Sequence, residues 1–310
     1  MAMALASAVP PCTLRDEVWR GAIPCCFRLA GDAGARPLYA MVPRLASLGS
    51  LDARLRRHFN VGFDAAAPGD GDAAVAPMAG LADSQYFARP LARAAPEDAP
   101  ADETEKGGGA REPLWFRPAG GGRPLRWAIP LGVAYDDAAA RGGPARLPWA
   151  LECVFEKPEA APDAVDRAGA PFRAFFHALK QAVHLERGTA RSVLSLPRVA
   201  QEALFAAGRA GDRSAFARAD VASRDAPRRV PVRLIFPGGG PPVQLPFPPT
   251  GSLRDALAAP IRAAFGAADV AEAADVVAHG VPLPWDLPLL DAWRALHAAD
   301  HFLYLVVVRR

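Results

Sequence analysis

Lysine is scarce in this chain. Of its 36 basic residues only Lys106, Lys157 and Lys180 are lysine, so the cationic surface is almost entirely arginine. A guanidinium cannot act as the nucleophile of an isopeptide bond, whereas a deprotonated amine can, so any role in amine acylation falls on very few positions. Net charge is small as well, +3 with acids interspersed among the bases, which argues against a nucleic-acid partner. Cys12, Cys25, Cys26 and Cys153 form neither a zinc-type pair of pairs nor a disulfide framework, so free thiols in a reducing compartment are expected. No run approaches the roughly 20 apolar residues that cross a bilayer, and the best of them, Phe302 to Val308, has strand length. The first ten residues are mildly apolar without a basic start, the pattern of a frayed tail rather than a signal peptide.

Chemistry-bearing motifs are missing too. The sequence holds no Walker loop, dinucleotide fingerprint, metalloprotease helix or nucleophile elbow, and its glycine triplets lack a following Lys-Ser or Lys-Thr pair and read as turns. The histidines include no HExxH pair. His297 and His301, four apart, are expected at the surface rather than on a metal. Neither a metal nor a cofactor is expected. Cys25 and Cys26 are adjacent on a predicted strand and so face opposite sides, one toward the core and one partly exposed. A nucleophilic cysteine there would need a base brought close in space, which nothing in the pattern supplies.

What is present is enough apolar residue, 51% of 310 positions, to fill two or three cores. The first region opens with short apolar runs, Val18 to Cys26 and Pro37 to Val42, joined through Gly31, Asp32 and Gly34 as a hairpin. Leu48, Leu51, Leu55 and Phe59 then fall at spacings of three and four on one helical face. Leu114 to Phe116, Leu125 to Ile129 and Leu151 to Phe155 are expected as further strands. Between them residues 64–111, dominated by Ala, Gly, Pro, Asp and Glu, are expected to be a mobile insertion. The last region repeats the order. Val232 to Phe236 and Val243 to Phe247 form a hairpin, Ser252 caps a helix through Leu253, Leu257, Ile261 and Phe265, and Val276 to Val281 is a strand. A short helix Leu287 to Leu296 and a closing strand Phe302 to Val308 follow.

A sheet covered by one helix is a physical unit, because the sheet's apolar face needs a cover and about three helical turns supply it. Two copies of hairpin, helix and strands therefore suggest an α+β chain of two β-grasp folds; two unrelated α+β units would show a similar pattern. Between the copies, Phe172, Phe175, Phe176, Leu179 and Val183 share one face of a helix, and a second helix covers Val199 to Ala207. The expected division is 1–157, 158–226 and 227–310, the middle part being helix-rich. The tryptophans are spread over both putative sheets, where core packing competes with a role as anchors of a partner groove. Lys180 lies at the border of the helical stripe, where a lysine stem covers apolar surface while its amine reaches water. By spacing alone it is an ordinary boundary lysine.

At these residues the sequence resembles the autophagy-related protein 5 family. The resemblance rests on Val18-Trp19-Arg20-Gly21-Ala22-Ile23-Pro24 with Phe27, Pro37-Leu38-Tyr39 with Val42-Pro43-Arg44, Leu114-Trp115-Phe116, and Pro124-Leu125-Arg126-Trp127 with Pro130-Leu131-Gly132. Further matches are Leu147-Pro148-Trp149, Phe175 to Ala182, His279-Gly280-Val281-Pro282-Leu283, and Phe302-Leu303-Tyr304-Leu305. It implies two ubiquitin-like domains flanking a helix-rich domain and a non-catalytic scaffold. It also implies that Lys180 accepts the ubiquitin-like modifier autophagy-related protein 12, that the conjugate binds autophagy-related protein 16 through a helix, and that it promotes lipidation of autophagy-related protein 8. Trp19, Ile23, Pro24 and Tyr304 are the expected partner contacts, and the expected location is the cytoplasm and the phagophore membrane, peripherally. Departures from the family pattern, among them Val183-His184-Leu185 and an Arg-rich rather than Lys-rich run after Lys180, leave any basic membrane-contacting patch open. A scaffold that holds the same partners without an isopeptide bond is the alternative. A cysteine enzyme using Cys25 or Cys26 and an arginine-driven nucleic-acid binder fit less well.

Overall fold

The computed structural model describes residues 11–61, 112–142, 146–158, 164–166, 169–219, 227–236, 238, 240–266 and 269–310. The expected insertion at 64–111 lies outside them, apart from the chain resuming at residue 112, as do the first ten residues. The chain enters through helix α1 (Pro11–Arg20), turns at Gly21 and continues as β1 (Ala22–Leu29) and β2 (Leu38–Pro43). A 3-10 turn at Leu48–Leu51 leads into α2 (Asp52–Phe59), followed by β3 (Trp115–Pro118), α3 (Leu131–Gly142) and β4 (Trp149–Val154). The sheet order is β2-β1-β4-β3, with β1 and β4 parallel at the centre. Ile23, Cys25, Phe27, Leu151 and Cys153 fill its inner side against Leu48, Leu51 and Leu55.

Two expectations fail in this half. Val18 and Trp19 end a helix instead of opening a strand, because both face inward from α1 and their polar neighbours Arg15, Asp16, Glu17 and Arg20 ring its other side. The run Leu125 to Ile129 is not a strand: only Leu125 bridges, to Phe116, and the chain then turns into α3.

The middle of the chain is α4 (Ala170–Arg187), α5 (Arg191–Leu194), α6 (Arg198–Ala210) and α7 (Arg213–Ala219). Helix α4 carries Pro171 in its first turn, where an amide hydrogen is not needed, and stops at Gly188, whose φ of 76° is unfavourable for any residue with a Cβ. The last part is β5 (Val230–Ile235), β6 (Val243–Phe247), α8 (Leu253–Phe265), α9 (Val270–Ala273), β7 (Ala274–Ala278), β8 (Val281–Pro282), α10 (Leu289–Leu296) and β9 (Leu303–Arg309). Its sheet order is β6-β5-β9-β7-β8, again with first and last strands parallel at the centre. Ser252 caps α8 in a reciprocal pair with Asp255.

Each half is therefore a β-grasp sheet, and the fold is two ubiquitin-like domains with a helical segment between them. Phe176, Leu179 and Val183 of α4, Leu204 of α6 and Phe216 of α7 lie in one continuous core with Val232, Leu234, Leu303 and Leu305 of the second sheet. The core thus runs across residue 226 without a break.

Candidate functional site

The helix that carries Lys180 is positioned by burial on one side and polar ties on the other. Phe176, Ala178, Leu179, Ala182, Val183 and Glu186 face the core, while Arg173, His177 and His184 are exposed. Lys180 is half-buried at one border of the exposed arc, the placement its spacing predicts, and it has no hydrogen-bond or ion-pair partner among the described residues. Lys157 is exposed in the loop after β4, and Lys106 lies outside the described residues. Among the described lysines only Lys180 stands on a helix.

Gln181 occupies the other border. Its side-chain oxygen accepts a hydrogen bond from Arg233 Nη2 at 3.1 Å, and its amide lies 3.5 Å from His177 Nε2. Arg233 is held in turn by three other groups. Nη1 donates to the Tyr304 hydroxyl at 2.7 Å, Nε and Nη2 donate to Gln244 Oε1 at 3.3 and 3.2 Å, and the guanidinium lies 3.7 Å from the centre of the Phe302 ring. The Tyr304 hydroxyl donates to Asp300 Oδ2 at 2.7 Å, and burial, reinforced by the Asp300 charge, holds this phenol protonated well above its ordinary range. One turn further along α4, the buried Glu186 accepts from His301 Nδ1 at 2.9 Å. Two side chains of α4 are thus tied to the second ubiquitin-like domain.

The residues expected at a partner surface are placed differently. Trp19, Ile23 and Tyr304 are 2%, 2% and 4% exposed, respectively, because Trp19 packs on Phe216, Ile23 sits in the first core and Tyr304 is a central-strand residue. Pro24 is half-buried. Five of the tryptophans, Trp19, Trp115, Trp127, Trp149 and Trp293, are core residues. His297 and His301 are not surface residues: both are buried, His297 stacked on Trp293. An arginine can only donate, so Arg15 donates to His297 Nε2 and the ring's Nδ1–H donates to the Ala298 carbonyl, which defines a neutral imidazole. Burial, with Arg15 beside it, holds this ring neutral well below the usual histidine range.

Cys25 and Cys26 are both buried, against the expectation that one would be partly exposed. Burial, with Cys26 adjacent, pushes the Cys25 thiol up to about 12, and burial raises Cys153 as well. A thiol so disposed is protonated and inert at neutral pH, so the structure gives no support to a cysteine nucleophile in β1. The second and first domains meet through a clamp: Arg44 Nη2 donates to Asp136 Oδ1 at 2.5 Å, and Asp136 Oδ2 accepts the Gly280 amide at 2.8 Å. Beside it, a cavity of about 40 Å³ lined by Leu45, Ser47, Phe175, Phe205 and Ala298 has room for a few waters. No described helix is long and apolar enough to cross a membrane.

Sequence reasoning missed Arg233, Gln181, Glu186 and His301 because each gains its partner only through tertiary folding. The single available signal was the polar Gln181 and Glu186 on a strongly amphipathic helix.

Residues 229–307 match the family description of the autophagy protein ATG5 UblB domain. Autophagy protein 5 of Aspergillus terreus is 28% identical over 232 residues, covering 60% of this chain and 74% of that one. The same protein of Scheffersomyces stipitis is 24% identical over 223 residues, covering 64% and 77%. The fold superposes on the crystal structure of Kluyveromyces marxianus Atg5 with a TM-score of 0.64 at 18% identity, over 95% of this chain and 98% of that one. With the ubiquitin-like, helical, ubiquitin-like order of the fold, these likenesses make the chain similar to autophagy protein 5 over most of its length, with the UblB domain of that family matched at residues 229–307.

Proposed function

We propose that the chain is a non-catalytic acceptor and scaffold of the autophagy conjugation system, divided as 1–157, 158–226 and 227–310, in which the Lys180 amine receives the C-terminal glycine of autophagy-related protein 12. The conjugate then binds autophagy-related protein 16, acts in an E3-like manner in the transfer of autophagy-related protein 8 to phosphatidylethanolamine, and works in the cytoplasm and peripherally at the phagophore membrane. The observation that carries the reading is the setting of Lys180. The residue is half-buried on an 18-residue helix, free of a carboxylate among the described residues, and lies in sequence between exposed His177 and His184. A rigid element holds a nucleophile more reproducibly than a loop does.

The activating and conjugating cysteines belong to other proteins in this scheme, in line with the burial of both thiols of β1 and the raised pKa of Cys25. A helical partner is expected to reach this chain through exposed apolar residues of the elements first singled out, Leu14 of α1 and Tyr39 of β2, since packing withholds Trp19, Ile23 and Tyr304. Mass spectrometry after co-expression with the modifier and its enzymes is the test. An adduct on wild type that disappears on Lys180→Arg supports the reading, and an undiminished adduct on that variant removes Lys180. A coiled-coil fragment whose capture is unaffected by both Leu14→Asp and Tyr39→Asp would remove the partner surface.

A further inference from the structure

We propose that Arg233 and Gln181 are positioning residues for the Lys180 amine: the second ubiquitin-like domain sets the rotation of α4 about its own axis and thereby the direction in which Lys180 leaves the surface. The inference rests on the acceptor reading of Lys180. Consecutive residues of an α-helix point about 100° apart, so Lys180 and Gln181 mark the two borders of the exposed arc of α4. The apolar stripe of Phe176, Leu179 and Val183 fixes which side of the helix is inward, but its two small members, Ala178 and Ala182, leave room for a modest roll. A roll one way draws Lys180 toward the core; the other way swings it to the direction in which His184 now points, away from the core.

Directional hydrogen bonds remove that freedom. Arg233 is a fixed fork before it meets the helix, held by Tyr304 from the neighbouring strand, Gln244 from β6 and the Phe302 ring below. Its remaining donor capacity is aimed at Gln181 Oε1, 3.1 Å away. The second tie, Glu186 to His301, stands five residues on, about 7.5 Å along the axis. Two ties at different heights and on different sides set both roll and tilt. Acyl transfer needs this, because misplacing reacting groups by about 1 Å costs on the order of a hundredfold in rate.

The step served is aminolysis of a thioester. The unprotonated Lys180 amine attacks the carbonyl carbon at the end of a ubiquitin-like modifier linked to an external enzyme's cysteine. The C–N bond forms, the C–S bond breaks, the electron pair leaves with sulfur, and the amine proton passes to the departing thiolate.

The experiment measures kcat and KM for the full-length chain as acceptor in a reconstituted transfer assay, with melting temperature as a control. Gln181→Ala is expected to lower kcat about tenfold, equivalent to roughly 1.4 kcal/mol of transition-state stabilisation, with KM and melting temperature unchanged. Gln181→Glu, whose carboxylate still accepts from Arg233, is expected to restore kcat. Arg233→Lys keeps the charge without the fork and is expected to behave as Gln181→Ala. Wild-type kcat for Gln181→Ala, or failure of Gln181→Glu to restore it, overturns the positioning role while leaving Lys180 as acceptor. A full yield of conjugate on Lys180→Arg overturns the acceptor reading itself and this inference with it.

Discussion

Removing the carboxylate of Asp136 is expected to destabilise the protein far more than loss of a surface charge would. The Asp136 side chain is 4% exposed and that of its partner Arg44 14%, so both charges are largely withdrawn from water. Arg44 Nε is already buried without a partner among the described residues, and beyond Asp136 the guanidinium has a hydrogen bond to the Gly132 carbonyl at 3.4 Å and lies 5.9 Å from the centre of the Tyr135 ring. Asp136→Ala would therefore strand a buried cation, for which breaking one side of the pair costs about 3–5 kcal/mol. The same change orphans the Gly280 amide, which sits in a turn where His279 and Gly280 both have positive φ, 51° and 81°. Exposed pairs, by comparison, contribute about 0–1 kcal/mol. The assay is urea unfolding followed by tryptophan fluorescence, since buried indoles report on both cores: Trp149 in the first, Trp293 in the second. We expect the midpoint to fall and the single transition to broaden or split, because the clamp joins the two domains. The double variant Arg44→Met with Asp136→Leu is expected to lose much less than the single one. A loss below about 1 kcal/mol for Asp136→Ala, where the pair was expected to cost several, would refute the assignment of this contact as a structural clamp.

Gly49→Ala is expected to cost about 1–3 kcal/mol by overpacking, since a Cβ there would stand 2.3 Å from the Trp127 ring; thermal melting checks it. Stability is expected to fall as pH drops below about 6.5. The folded pKa of both His297 and His279 is lowered, by burial first, so the unfolded chain binds the protons and stability is full above the unfolded value and declines below it. His297→Phe should flatten that slope in melting curves taken between about pH 5 and 7, and an unchanged slope would exclude His297 as its source. Cys25, Cys26 and Cys153 are expected to stay unlabelled by a thiol reagent until the chain is unfolded, and rapid native labelling of any of the three would contradict their burial.

The second ubiquitin-like domain was legible in the sequence because its signals are local. Ser252 with Asp255 marks a helix start, Leu253, Leu257 and Ile261 recur at one face, and the unbroken run at Leu303 to Val307 has the composition of a strand buried on both faces. The first domain misled where local and tertiary demands diverge. Val18 and Trp19 favour strands by type, yet the bonds of their backbone close a helix whose inward face packs on Phe216. Helix α3, rich in alanine after Leu131 and Val133, shows no stripe, and its role emerges only when Asp136 reaches Gly280. His297 and His301 look like surface residues by polarity, but their partners Arg15 and Glu186 are far away in sequence. Lys180 was placed at one border of its stripe by spacing alone; what holds the opposite border, Arg233 on Gln181, was not visible.

The parallel pairing at the centre of each sheet has a consequence for assembly of the chain. Phe27 waits for Leu151, and Val232 waits for Leu303, before either middle ladder can form. Non-local pairings of this kind carry their loop-closure entropy before any contact compensates it, which makes them slow. Because β9 is the central strand and pairs with β5, against which α4 packs, a chain still emerging from the ribosome holds α4 against an incomplete core. The face of α4 that carries Lys180 therefore becomes ordered among the last parts of the molecule, and a nascent or truncated chain presents that lysine on a helix whose supporting sheet is unfinished.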